Sequence, residues 1–234
     1  MKFFRNLIGL CVMLFLSISP LHAQKETFKN ELYLGVGAGP LFSKVDFVPG
    51  VPETYKQGIL GGISAKYISE NHLGLIVELN YVQRGWEQVF ESSPDFSYSR
   101  TLNYMDIPFL CHVYFGGKTR FLFNIGPQLS FLIGHNEKMS QALSDDVDKR
   151  RAENPEVGIG MQYGDAYELK SVDYGLVGGI GMEFKTPVGD FDLEGRYYFG
   201  LGDIFTNRRS EEAFFSRSAS RVIEAKLTYY IRVF

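Results

Sequence analysis

The chain is short of several things at once. Among its 234 residues there are two cysteines, one tryptophan and four histidines, and 24 Lys and Arg stand against 27 Asp and Glu. A net charge of −3 without a basic block excludes the electrostatic footprint of a nucleic-acid-binding protein, so no nucleic-acid partner is expected. No phosphate-binding glycine loop and no zinc-ligand spacing occurs, and no cofactor is expected. After Gln24 there is no apolar run of the roughly 18 residues that a membrane-spanning helix requires. Glycine is abundant at 25 residues, yet it follows no G-X-Y period, so collagen-like and low-complexity classes are excluded. With Phe at 20 and Tyr at 14, the chain carries too much apolar surface to be disordered.

The first 23 residues have their own logic. Lys2 and Arg5 precede an apolar run from Leu7 to Ile18, and Ser19 to Ala23 ends in a small residue. This is the pattern of a secretory signal peptide over residues 1–23, with cleavage expected between Ala23 and Gln24. An uncleaved N-terminal anchor is the competing reading, and Leu10 before Cys11 disfavours lipoprotein processing. Removal takes two basic residues and no acidic one, leaving 22 against 27 and a net charge of −5. It also leaves Cys111 alone, so an intramolecular disulfide is excluded, and a packing role is expected for it.

The dominant signal in residues 24–234 is a period of two. Leu73, Leu75, Val77, Leu79 and Tyr81 alternate with Gly74, Ile76, Glu78, Asn80, Val82 and Arg84, which is the pattern of a strand with one apolar face. Equivalent alternation runs over 32–42, 59–68, 104–115, 120–133, 173–185, 191–201 and 222–234, giving eight strands. Short turns at 69–72, 116–118 and 187–189 alternate strictly with long polar segments at about 43–57, 86–100, 135–171 and 202–221. Such an antiparallel meander removes its exposed edges by closing on itself.

The distribution of polarity between the faces decides which solvent surrounds the closed sheet. One face carries glycines with Glu78, Arg84, Asp106, Glu183, Lys185, Asp192, Glu194, Arg196, Glu224 and Lys226. The other carries Leu, Ile, Val and Phe, with Tyr81, Trp86, Tyr104, Tyr174, Tyr197 and Tyr229 near strand ends as in an interfacial aromatic girdle. Small and charged residues suit a narrow lumen, and the apolar face suits lipid. The expected fold is therefore all-β, an eight-stranded antiparallel up-and-down transmembrane β-barrel with four loops outside, and turns and termini in the periplasm. The C-terminal Phe234, after Tyr229, Tyr230 and Ile231, matches the terminal aromatic by which such barrels are recognised for insertion.

Six segments carry a resemblance. They are GAGP at Gly37–Pro40, ELNYVQRG at Glu78–Gly85, YMDIPF at Tyr104–Phe109, NIGPQLS at Asn124–Ser130, YGLVGGIG at Tyr174–Gly181 and DLEGRYYFGLGDI at Asp192–Ile204. In order and spacing the set resembles the PorT-like outer-membrane β-barrel family common in Bacteroidota, often labelled porin family. The resemblance covers nearly all of residues 24–234 and implies the barrel and its address in the outer membrane. The 135–171 segment is long for such a loop, and Val233 stands where a polar residue is expected before the terminal aromatic.

An eight-stranded barrel is just wide enough for its own side chains, so a diffusion pore is not expected and eight of the inward charges, all but Lys185 and Asp192, should form a paired network. Expected partners are outer-membrane lipid, the barrel assembly machinery and an extracellular or envelope protein reached through the loops, with the chain a monomer. The function read from these features is a scaffold displaying its loops. A narrow small-solute channel or secretion accessory is the alternative, and an outer-rim lipid-modifying enzyme the second. Of the histidines, His72 falls in a turn and His112 in a strand, leaving His135, at the start of the third long loop, as the rim candidate. No catalytic residue is assigned. Asp145, Asp146 and Asp148 lack the Gly and terminal Glu of a calcium loop, so a charged helical surface segment is expected there and no metal site.

Overall fold

The alternating segments build a closed sheet. The computed structural model describes residues 29–154, 163, 168–206 and 215–234, so the signal segment and the Ala23–Gln24 junction lie outside the described residues. The strands are β1 (Glu31–Val48), the two-residue β2 (Glu53–Thr54), β3 (Lys56–Glu70), β4 (Leu73–Gln88), β5 (Tyr98–Gly116) and β6 (Thr119–Met139). After one helix, α1 (Gln141–Glu153), follow β7 (Val172–Thr186), β8 (Gly189–Gly200) and β9 (Arg217–Arg232). Each long strand pairs antiparallel with its sequence neighbours, and β1 pairs with β9, so eight strands form a ring. β2 is a short strap laid on the end of β4, with Glu53 opposite Gln88. No helix among the described residues is long and apolar enough to cross a membrane.

Parity sets the faces throughout. On β1, Tyr33, Gly35 and Leu41 point into the lumen while Leu34 and Val36 are 53% and 60% exposed. The outward apolar stretch from Leu34 to Phe42 covers nine residues, within the roughly 9–11 that a tilted strand needs to cross the hydrocarbon core. On β9 the equivalent stretch runs from Ile223 to Ile231. Cys111 lies on the outward face beside Leu75, exposed.

The strands are longer than the alternation of an apolar outer face predicts, and the long loops correspondingly shorter. β1 continues to Val48, β4 to Gln88 and β6 to Met139, while β5 starts at Tyr98 and β9 at Arg217. The physical reason is a change of solvent. Above the lipid band the outward face meets water, so it becomes polar (Lys44, Asp46, Glu87, Ser99), and the inward face becomes apolar (Val45, Phe47, Trp86, Leu102). The period of two persists with its polarity inverted. His135 accordingly lies in the outer extension of β6, opposite Leu102, and not in a loop.

Two of the girdle aromatics are corrected by the same parity. Trp86 and Tyr104 share the face of Arg84 and Asp106, and both are fully buried inside the barrel. Tyr174 and Tyr197 do face outward. At the other end, Val233 continues the outward series of Tyr229 and Ile231, so an apolar residue is what its position calls for. Beyond β9 the chain stays attached to β1: Val233 N–H donates to Leu32 O at 2.7 Å and Leu32 N–H to Phe234 O at 3.1 Å. The Phe234 ring is exposed at the turn end of the barrel.

The seam between β1 and β9 is tight where Pro40, which lacks an N–H, interrupts its ladder. A Cβ on the adjacent Gly39 would sit 1.7 Å from the Ala225 carbonyl oxygen, whereas one on Gly195 would meet nothing within 4 Å. Gly39→Ala is therefore expected to prevent closure, and Gly195→Ala to permit it. On unboiled gels the first should lose the fast-migrating folded band and the second keep it; equal folded fractions would contradict this seam geometry.

Candidate functional site: the lumen and its outer cap

Along each strand every second residue is delivered to the lumen, and in this chain those residues are mostly charged or amide-bearing. The charges of the eight predicted lumen residues are all buried, and seven of them make ion pairs. At the turn end, Lys66 of β3 pairs with Glu183 of β7 and with Asp192 of β8, the latter at 3.1 Å. Arg120 reaches the other Glu183 oxygen at 3.2 Å, and the Lys66 ammonium lies 4.1 Å from the centroid of the Tyr230 ring.

The middle of the lumen is organised by Glu78 on β4. Arg196 from the far side of the barrel grips it bidentately, Nη1 to Oε2 at 2.8 Å and Nη2 to Oε1 at 2.9 Å. Lys226 donates to the same carboxylate at 2.7 Å and Asn80 at 2.8 Å. Arg196 also reaches Glu194 at 2.6 Å, and Asn124 donates to Glu194 while its own Oδ1 contacts His112 Nδ1 at 2.7 Å. Two parallel N–H···O bonds between guanidinium and carboxylate fix distance and angle together, which makes this the strongest single pairing geometry available to side chains.

Toward the loops, Arg84 donates to Asp173 at 3.0 Å and lies 4.0 Å from Asp106, which accepts from Gln128 at 2.8 Å. The Arg84 guanidinium sits over the ring of Tyr104 at 3.9 Å, and Tyr198 OH donates to Asp173 at 3.1 Å. Glu224 is the exception among the predicted residues. It is cross-strand partner to Arg196 but makes no ion pair among the described residues.

Two charges of the network, Lys66 and Asp173, are not among the predicted inward charges, and Asp192 is read from the sequence as inward but not counted in the network. Their signal is parity alone: Lys66 shares a face with Gly62 and Ser64, and Asp192 with Glu194. Asp173 stands two residues before the inward Gly175, at the edge of its strand, where the alternation has only begun.

Above the charges lies an apolar cap. Phe47, Trp86, Tyr98, Leu102 and Tyr104 of the projecting strands pack with Leu143 and Val147 of α1 and with Tyr163, Ile204, Phe205 and Phe215. Trp86 meets Phe47 and Phe205 edge-on, with centroids 5.3 and 6.0 Å apart. Backbone bonds tie the loops together under this cluster: Lys170 N–H donates to Ile204 O at 2.8 Å, Thr206 N–H to Glu168 O at 2.9 Å, and Ile204 N–H to Ser218 O at 2.8 Å. The helix is capped by Ser140, whose Oγ accepts from Leu143 N–H at 3.4 Å, and contains Asp145, Asp146 and Asp148. Among the described residues no group of His, Cys, Asp and Glu is arranged to hold a metal ion.

The histidines are dispersed. His72 is in the β3–β4 turn with Nδ1 2.8 Å from Tyr114 O, His112 is buried against Asn124, and His135 is exposed with no side-chain hydrogen bond among the described residues. Outside the membrane band, Glu53 on the β2 strap accepts from Val45 N–H at 3.2 Å. Burial pushes its carboxyl up to about 7, against the opposing pull of the Val45 N–H and Lys44.

A closed antiparallel ring with a lipid-facing apolar band and a polar interior defines a transmembrane β-barrel of the Gram-negative outer membrane. The chain belongs to the family described as outer membrane protein beta-barrel domain, whose model matches residues 22–206. Among solved structures it is similar to the outer membrane protein OprG from Pseudomonas aeruginosa, at 10% identity and a TM-score of 0.50, over 86% of this chain and 96% of that one. It is also similar to Ail, the attachment invasion locus protein of Yersinia pestis, at 14% identity and 0.42, over 87% and 100%. The outer membrane protein W of E. coli matches at 12% identity and 0.43, over 88% and 100%. At such identities the likeness is one of fold. No curated protein matches the chain.

Two measurements probe this site. Glu78→Ala leaves Arg196 and Lys226 without their shared counter-charge, and should lower the stability of the folded barrel by about 3–5 kcal/mol in denaturant titrations; a change below about 1 kcal/mol would contradict the pairing. For Glu53, a carboxyl raised in the folded state favours folding at low pH, and the advantage is lost as pH rises from about 4.5 towards 7. A carbon-detected NMR titration should place its midpoint near 7, and Glu53→Gln should make the stability of the β2 strap flatter across that range.

Proposed function

We propose that this outer-membrane barrel is a sealed scaffold that carries an ordered extracellular cap for contact with other molecules. The observation that supports it most is the continuity of filling. Ion-paired side chains cross the lumen from Lys66 to Arg84, and an aromatic cluster around Trp86 lies directly above them. An eight-stranded ring has little cross-section left once such side chains are in place. The cap offers a surface with relief: a cleft of about 360 Å³ separates residues 89–96 from α1, lined by Phe90, Phe96, Val147 and Arg150 among others.

On this reading the barrel acts as a monomer held by outer-membrane lipid, delivered by the barrel assembly machinery through its C-terminal strand and Phe234, and touching an extracellular or envelope protein through the cap. It has no nucleic-acid partner and no catalytic role. The ordered motif set from Gly37 to Ile204 supports a PorT-like affiliation within the family.

Purified full-length protein in planar bilayers is expected to show no unitary conductance steps. Steps in the wild type would replace the scaffold with the narrow channel. Lipid A from cells expressing His135→Ala should match the wild-type profile; a changed profile would establish the enzyme.

A further inference from the structure

Where the apolar band ends, the wall between β1 and β9 carries an arrangement that neither the sealed lumen nor the cap uses. Lys44 and Arg221 are direct cross-strand partners on the outward face, immediately above Phe42 and Ile223, the last lipid-facing pair of this seam. Like charges placed directly opposite one another are unfavourable unless a counter-charge accompanies them. Arg217, two outward positions further along β9 and 45% exposed at its side chain, adds a third cation nearby.

The protein supplies little compensation. Asp46 serves both arginines, at 3.3 Å from Arg217 and 3.1 Å from Arg221. Lys44 has no ion pair among the described residues, and its ammonium lies 5.3 Å from the Tyr55 ring centroid. Glu53 shares the cleft, but its carboxylate is engaged by Val45 N–H. Arg221 is held in place rather than left to find water: Nη1 donates to the Gly200 and Ser220 carbonyls, each at 2.9 Å, and the guanidinium lies 3.8 Å over Phe199. Lys44, Asp46, Glu53 and Arg221 surround a polar cleft of about 540 Å³ lined also by Tyr55 and Tyr197.

We propose that this cleft binds a phosphate on the head group of an outer-leaflet glycolipid, with Lys44 and Arg221 as its cationic wall and Arg217 linked to it through Asp46. The level is what selects a lipid over a soluble anion. Lys44 and Arg221 stand one outward position beyond the hydrocarbon band, where head-group phosphates lie, and the acyl chains of the same molecule would run down the apolar wall over Phe42 and Ile223. Basic clusters at this depth are attractive to anionic head groups, and two like charges already fixed side by side gain most from an anion between them. The inference rests on the orientation of the barrel in the outer membrane and stands whether or not the lumen conducts.

The test uses native mass spectrometry of the full-length folded protein in detergent, with diphosphoryl lipid A, its dephosphorylated counterpart and inorganic phosphate as probes. Wild type should retain one diphosphoryl lipid A, and retain the dephosphorylated form about tenfold less or worse. Lys44→Gln with Arg221→Gln should lower retention of the phosphorylated lipid by a similar factor. Lys118→Gln, a cation in a turn at the opposite end, should leave it unchanged, and unboiled gel mobility confirms that every variant is folded. Equal retention of the two lipids, or of the lipid by the wild type and the double variant, would overturn the site. Displacement of the lipid by millimolar inorganic phosphate would overturn the lipid assignment in favour of a free-anion site.

Discussion

Hydrocarbon offers no hydrogen bonds, so every N–H and C=O within the membrane band has to be paired by the protein itself. Nearly everything else in this molecule follows from that requirement. It forces the ring, and a ring of eight strands leaves a lumen only one or two side chains across. Half of all strand residues point into that space, and the glycines among them make room for the long ones: a Cβ on Gly179 would come within 2.7 Å of Arg196 Cγ, and one on Gly181 within 2.8 Å of Glu194 Cγ. Charges then have to find partners inside, because Glu78 and Lys226 are buried there away from bulk water.

Buried ion pairs are poor evidence for stability, since their desolvation offsets most of the attraction. Their value here is register. A one-residue slip of any strand would turn its inward set to lipid. For β9 that would place Glu224, Lys226 and Thr228 in hydrocarbon and bring Ile223, Ala225 and Leu227 against Arg196 and Glu78. The network thus penalises each wrong pairing by several unmatched charges, and it does so for strands distant in sequence, as the span from Glu78 to Arg196 illustrates.

Parity was the legible part of the design. It assigned eight charges to one face of the sheet, and all eight side chains are buried in the structure; it also gave eight strands with their order of short and long connections. What alternation could not show was where one solvent gives way to another. An apolar-out template ends a strand at Phe42, because Lys44 and Asp46 no longer fit it; the strand in fact continues with Val45 and Phe47 turned inward as in a water-soluble sheet. For the same reason Trp86 reads as an interfacial anchor in sequence and is a buried member of the cap in space. Partner choice was likewise hidden. Nothing local to Lys66 announces Glu183 and Asp192, which reach it only across the closed lumen, and the cap depends on chain segments brought together from four loops.

The bonds between Leu32 and the last two residues carry a consequence for biogenesis. The first strand of the ring finds its second neighbour only in the final segment of the chain, nearly two hundred positions later. Until that segment has been exported, the sheet has two raw margins, each a row of unpaired amides. Closure between β1 and β9 is therefore the step that turns an open ribbon into a membrane-compatible object.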